Sequence, residues 1–353
     1  MAHHILGPES DLFGTDPNEQ KGKYGPHTTH THYFGFQIPE EGIGCYSYIR
    51  YLPYFPLMQG NVMVFQGTDN QQLLDMAHLD YEMTCPWPEV DGNTIKTTQG
   101  YELELIEPGT KARVTYRSAD GHCSFELEQT GISPICGRSA VMPGEDRLKE
   151  MQPGGFEQFM HCVGELELHG KTYAIDCNTA RDRSWNQDRS EARGGLFDIP
   201  VSWTPVYFDE DLYVNQVGFE KEETNPSWKG LLEPPPADYP GFLFSWVGRG
   251  DEIRDVVRVD RDVTEYHPTL YFPTKQEIEI EDDQGETYRM TGEALAHSPI
   301  VAWPHAFAYD SVVRWETDDG RIGHGSCQGI WYEGYAHAMK EKRRTRVAAG
   351  TQA

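Results

Sequence analysis

From Tyr33 onward the chain alternates: apolar and polar residues change places at every second position in one run after another. That is the period of a half-buried β-strand. "YELELIEPGTKARVTYRS" (101–118) followed by "HCSFELEQTG" (122–131) reads strand, turn, strand, turn, strand. "CYSYIRYLPYF" (45–55) and "NVMVFQG" (61–67) are aromatic and β-branched, with Pro56 and Gly60 between them. "VGELELHGKTYAIDC" (163–177) predicts a hairpin that turns at His169-Gly170.

The second half continues in the same style. "DLYVNQVGFE" (211–220), "GFLFSWVGRG" (241–250), "IRDVVRVDRDVTEY" (253–266), "QEIEIEDDQGETYRMTG" (276–292) and "SVVRWETDDGRIGHGSCQGIWYEGY" (311–335) are strand-like, with Asp/Gly turns. "ELELHGKTYAI" and "IEIEDDQGETYRM" both pair an alternating acidic strand with a glycine turn and a Tyr-bearing strand, a faint sign of internal duplication. Residues 1–30 are polar and turn-rich and read as an arm lying on the surface. "LLEPPPADYPG" (231–241) is a loop by its prolines, and only "YAHAMKEKRRTRV" (335–347) has helical character. The predicted fold is all-β and antiparallel with few helices. So many strands must close into barrels or stack as sandwiches to hide their edges.

Composition supports a packed β protein. Of 353 residues 38% are hydrophobic and 12% aromatic, with 35 glycines and 23 prolines for turns. The formal charge of −26 argues against a nucleic-acid duplex or an anionic membrane as partner. Seven cysteines without a C-x-x-C pair suggest neither a disulfide framework nor a zinc knuckle. The N-terminus lacks the charged and apolar regions of a signal peptide, and no apolar run is long enough to be a transmembrane segment. A cytoplasmic setting is the expectation.

Three features compete as sites. His27, His30 and His32 in "HTTHTHY" invite a metal, but neither carboxylate nor cysteine is near in sequence, and no metal is expected. Serine-elbow, phosphate-loop and dinucleotide motifs are missing, so acyl, phosphoryl and hydride chemistry lack their usual supports. The third is "NTARDRSWNQDRSEARGG" (178–195). On an extended strand Arg181 and Arg183 share one face, and Asp182 shares the other with Ser184. If the arginines lie outside, Asp182 points into a barrel beneath Trp185. A carboxyl desolvated there keeps its proton and suits alkene protonation or alcohol dehydration. The alternative is that Asp182 pairs with Arg181, Arg183 or Arg189 and braces a junction.

"GELELHGKTYAIDCNTARDRSWN" resembles the signature of the AttH/CrtC-like proteins, the carotenoid 1,2-hydratase family, with Arg181, Asp182, Arg183, Ser184 and Trp185 matching its core. The runs beginning "HTHYFGFQ" and "HSPIVAWPH" are similar to the family's first and closing strands. The resemblance implies two lipocalin-like antiparallel β-barrels packed together, here set at 1–180 (with the arm 1–30) and 181–353. It implies a greasy pocket, no cofactor, and Asp182 as proton donor to a double bond. The family's tyrosine two residues before the aspartate is Ala180 here, and the glycine after the tryptophan is Asn186.

The function expected is a cofactor-independent hydratase or dehydratase, or a related cyclase or isomerase, for an isoprenoid-, terpenoid- or steroid-like molecule. Asp182 is the acid, with His161 or Tyr173 as proton relay. Trp185, Tyr33, Phe34, Trp303 and Trp331 contact substrate. Arg181, Arg183 and Ser184 fix and tune the loop. A carrier of lipid, steroid or pigment is the rival reading, and a homo-oligomer stays open.

Overall fold

The computed structural model describes residues 4–11, 24–137, 154–188, 200–220, 241–270, 272–301 and 306–332, with isolated positions 337, 340, 341, 344 and 345. Apart from three short 3-10 turns, every element it describes from 4 to 332 is a strand, and every pairing is antiparallel. The isolated positions near the C-terminus have helical backbone.

The first sheet has 14 strands. Its path runs from His78–Pro86 through Leu57–Gln66, Ile43–Leu52, Thr28–Tyr33, Lys171–Asp188, Gly154–Leu168, Cys123–Gly131, Lys111–Arg117 and Tyr101–Glu107 to Thr94–Lys96 and Glu89–Asp91. The predicted hairpin forms at His169 and Gly170, whose positive φ values of 50° and 81° fit a type I′ turn. The sheet curls around a core that includes Tyr51, Met58, Leu103, Val114 and Met160.

The expected all-β fold of two packed antiparallel barrel units is what forms, the first unit as a curled half-barrel. Its two end strands carry Asp80 and Glu82 on one side and Glu89 and Asp91 on the other, and charged edges resist pairing. Side chains bridge the gap instead. His78 Nε2 lies 2.7 Å from Tyr116 Oη, which donates to Asp80 Oδ2 at 2.5 Å.

The second sheet has nine strands and closes on itself. It runs through Val201–Asp209, Leu212–Phe219, Phe242–Arg249, Glu252–Tyr266, Pro273–Asp282, Thr287–Ile300 and Ala306–Thr317. Ile322–Ser326 and Gln328–Tyr332 then share one place in the ring, so the result is an eight-strand barrel. Val206, Val214, Ile278, Val313 and Trp315 fill its centre.

The change of sheet falls between Asp188 and Val201. Strand Lys171–Asp188 runs straight through position 180, where the two units were expected to divide, and belongs wholly to the first sheet. Nor does the whole arm lie on the surface: His4–Ile5 pairs with Cys136–Gly137, and Asp11 is buried. The outer faces of the two sheets meet in a seam. Tyr33, Tyr46, Tyr48 and Phe65 pack there on Ile300, Ala308, Val312 and Trp203. A backbone bond crosses it, from His297 N to Gly67 O at 2.9 Å.

Candidate functional site between the two sheets

Strand Lys171–Asp188 sets the geometry, and its alternation is as the sequence predicts. Its facing is the reverse. Ile175, Arg181 and Arg183 turn into the curled sheet, while Ala180, Asp182 and Ser184 turn to the seam. The reason lies in the arm. Arg181 donates from Nη1 to Asp11 Oδ1 at 2.7 Å and from Nη2 to Asp11 Oδ2 at 2.9 Å, and from Nε to Gln158 Oε1 at 3.0 Å. A buried guanidinium so fully bonded is stable inside. Arg183 donates to the carbonyls of Thr31 and Ser184, and burial pushes its pKa down to about 10.

The same inner layer holds His30 and His32. His30 Nδ1 accepts the Asn186 amide at 3.0 Å, and His32 Nδ1 lies 3.0 Å from Tyr51 Oη. Burial and then the charge of Arg183 hold both rings neutral, His30 at about 3. A guanidinium stands where a metal site would need a carboxylate. Among the described residues no group of three His, Cys, Asp or Glu side chains has metal-binding spacing.

On the seam face Asp182 stands in a cross-strand row, opposite Glu157 on one neighbour and Tyr33 on the other. Thr31 Oγ1 donates to Asp182 Oδ1 at 3.2 Å and lies 2.6 Å from Ser184 Oγ. Glu157 is buried and Asp182 half-buried. Tyr33 reaches across the seam, its ring 5.5 Å from and edge-on to Trp203.

Facing Tyr33 from the closed barrel is Asp310, which accepts a bond from Ser326 Oγ. Burial raises the Asp310 carboxyl to about 7, against the opposing hydrogen bonds of Ser326, Gln328 and the Ser311 amide. Burial, and after it Asp310, raises the Tyr33 phenol well above its ordinary value. Asp310, Glu157 and Trp203 were not singled out from sequence. A signal for Asp310 was there: in "AFAYDSVVRW" it shares a strand face with Ala308 and Val312, an acid among apolar neighbours.

The seam opens at one end. A cavity of about 430 Å³ lies between the sheets, lined by His161, Asp176, Asn178, Tyr207, Phe208 and His324 among others. His161 Nδ1 is 3.0 Å from Asn178 Oδ1, and its Nε2 is 3.6 Å from Asp176 Oδ1. Burial lowers the pKa of His324. Asn178 and Asp182 share a face four residues apart, which is about 13 Å along a strand. Between them Ala180 and Phe159 pack on Tyr213 and Trp246.

The expected site residues therefore divide. Asp182, Ser184, Tyr33 and His161 are in the seam, His161 at its open end. Phe34 and Tyr173 pack in the core of the curled sheet, on the other side of the strands. Trp185 lies over Gly154 beside Arg183, and Trp331 packs on Tyr309 inside the closed barrel. Trp303 lies outside the described residues. Among the described residues no single aromatic pocket gathers them.

Comparison with known proteins gives a family and a fold. Residues 16–333 match a family described as a domain of unknown function, DUF7064. No curated protein matches the chain. The crystal structure of kievitone hydratase from Nectria haematococca is similar in fold, with a TM-score of 0.55 over 94% of this chain and 94% of that one, at 11% identity. Among the described residues no helix is long and apolar enough to cross a membrane.

Proposed function

The chain belongs to the DUF7064 family, and from its seam we propose that it is a hydratase-type lyase acting without a cofactor on a hydrophobic, isoprenoid-like small molecule. The fold it shares with a hydratase supports the reaction class. The observation that carries the reading is the row Glu157–Asp182–Tyr33, turned to the seam while Arg181 and Arg183 bond on the other face.

Asp182 is the proton donor. Asp182 and Glu157 are cross-strand partners on the seam face, where two like charges are unfavourable. Protonating an alkene leaves a carbocation, and the buried aromatic cluster of Phe159, Tyr213 and Trp246 lies one step along the same face, where its rings would stabilise a cation that enters among them. Tyr33 and Asp310 supply the second proton-carrying pair, across the seam. The open end at His161 and Asn178 is the entrance for substrate and water, which reach Asp182 by parting the Phe159–Tyr213–Trp246 packing.

The test is turnover of a panel of prenylated phenols, terpenols and sterols by wild type and Asp182→Asn, with products read by mass spectrometry and binding by calorimetry. The expected result is binding by both proteins and a loss of turnover of about 10²-fold or more in the variant, the size of a general-acid contribution. Equal turnover in the two proteins removes Asp182 from the chemistry. Binding without turnover in either makes the protein a carrier for that panel.

A further inference from the structure

The closed barrel has a polar layer in its interior that the seam does not use. It lies about three residues, or about 10 Å, in from the end where Val201, Phe219 and Pro273 stand. Arg261 Nε donates to Gln276 Oε1 at 3.0 Å, and Gln276 Nε2 donates to Cys327 Sγ at 3.4 Å. The Thr204 hydroxyl donates to the same sulfur at 3.6 Å, and Gln216 stands opposite Thr204 in register. Below this layer the interior is aliphatic and aromatic.

Two properties separate the layer from an ordinary buried network. The first is charge. Arg261 is 1% exposed, and the carboxylate whose charge bears on it, Glu220, is itself bonded by the Tyr266 hydroxyl. Burial alone would lower its pKa, but the neighbouring Tyr309, Cys327 and Glu220 outweigh that and it stays a cation. The second is unmet bonding. Arg261 Nη2 and both amide atoms of Gln216 have no partner among the described residues, although Gln216 is 0% exposed. Each such group costs about 1–3 kcal/mol when left so.

We propose that this layer is a ligand site for a small hydroxycarboxylate with an apolar body. The carboxylate answers Arg261 Nη2 and the Gln216 amide N–H, and its neighbouring hydroxyl donates to the Gln216 amide oxygen. The apolar body rests against Trp331, beside Tyr309, whose hydroxyl faces Arg261 and whose ring meets that of Trp331 at 5.3 Å. An eight-strand barrel is of the size at which side chains fill part of the interior and one small ligand can take the rest, and here the apolar core lies below the polar layer. The site lies on the other side of the barrel wall from the seam, so the proposal does not depend on the hydratase reading.

Mandelate is the probe, with phenylacetate (no hydroxyl) and mandelamide (no charge) as controls, measured by calorimetry. Wild type is expected to bind mandelate, phenylacetate about tenfold more weakly, and mandelamide not at all. Arg261→Gln should lose at least about tenfold in affinity, the value of one charge-assisted bond. Because that variant risks misfolding, Gln216→Glu is the second: it supplies the carboxylate from the chain, and should raise the melting temperature while abolishing mandelate binding. Asp182→Asn should bind mandelate as wild type does. Failure of wild type to bind, or undiminished binding by Arg261→Gln or Gln216→Glu, overturns the proposal and leaves these atoms to water.

Discussion

Arg181 and Asp182 are neighbours in sequence and face opposite ways, which decides what each can do. Arg181 is 2% exposed, and the carboxylate that neutralises it, Asp11, lies 170 positions earlier. Removing one partner of such a pair leaves a bare buried charge. Asp11→Ala is therefore expected to cost about 3–5 kcal/mol in urea unfolding. The double change Asp11→Leu with Arg181→Met should recover most of that loss, since no charge is stranded. If Asp11→Ala unfolds like wild type, the pair does not hold the arm to the strand. The alternation of 181–183 was legible in the sequence, but its facing was not. A strand with polar residues on both faces carries no local sign of which face is inward. The partner that settles it sits in a stretch whose composition suggested a surface arm.

The strands themselves were legible, because their period and turn residues are local. What escaped notice is how they are held in register. Among the described residues an aromatic ring five times lies directly over a glycine opposite it on the next strand: Phe65 over Gly44, Trp185 over Gly154, Tyr213 over Gly248, Trp315 over Gly292 and Tyr309 over Gly329. The ring covers backbone that glycine leaves bare, and the missing Cβ gives it room. At Gly292 an added Cβ would fall 2.6 Å from the nearest Trp315 ring carbon, and Trp315 is fully buried. Gly292→Ala is expected to destabilise the closed barrel by about 1–3 kcal/mol, read by tryptophan fluorescence during urea unfolding. Gly250→Ala serves as a comparison with open space around its Cβ, although its φ of 58° adds backbone strain of its own. A fluorescence maximum that does not move in Gly292→Ala would show the ring free to shift, against the packing described. The half-barrel was illegible for a related reason: whether a sheet closes depends on which strands become its edges, and no single strand encodes that.

At the scale of the whole molecule, the buried proton carriers link stability to pH with opposing signs. His30, His32 and His297 are held neutral by burial, His30 down to about 3. Below about pH 6.5 the unfolded chain takes up their protons and the folded chain does not, so stability falls as pH falls. Asp310 works the other way. Its folded pKa is raised to about 7 from an ordinary 3.8, so between about pH 4 and 7 the folded chain holds a proton the unfolded one has lost. Its contribution is complete at low pH and is lost as pH rises towards 7. Each proton is worth about 1.4 kcal/mol per pH unit, and the three histidines outweigh the one aspartate. Unfolding free energies measured between pH 4.5 and 6.5 should therefore rise with pH. In Asp310→Asn the opposing proton is gone, and the rise should steepen by about 1.4 kcal/mol per pH unit. In His30→Gln it should flatten by a similar amount. An Asp310→Asn profile parallel to wild type would mean that Asp310 is ionised in the seam. The Tyr33–Asp310 pair would then be an anion clasped between the sheets, unable to pass a proton to Asp182's side.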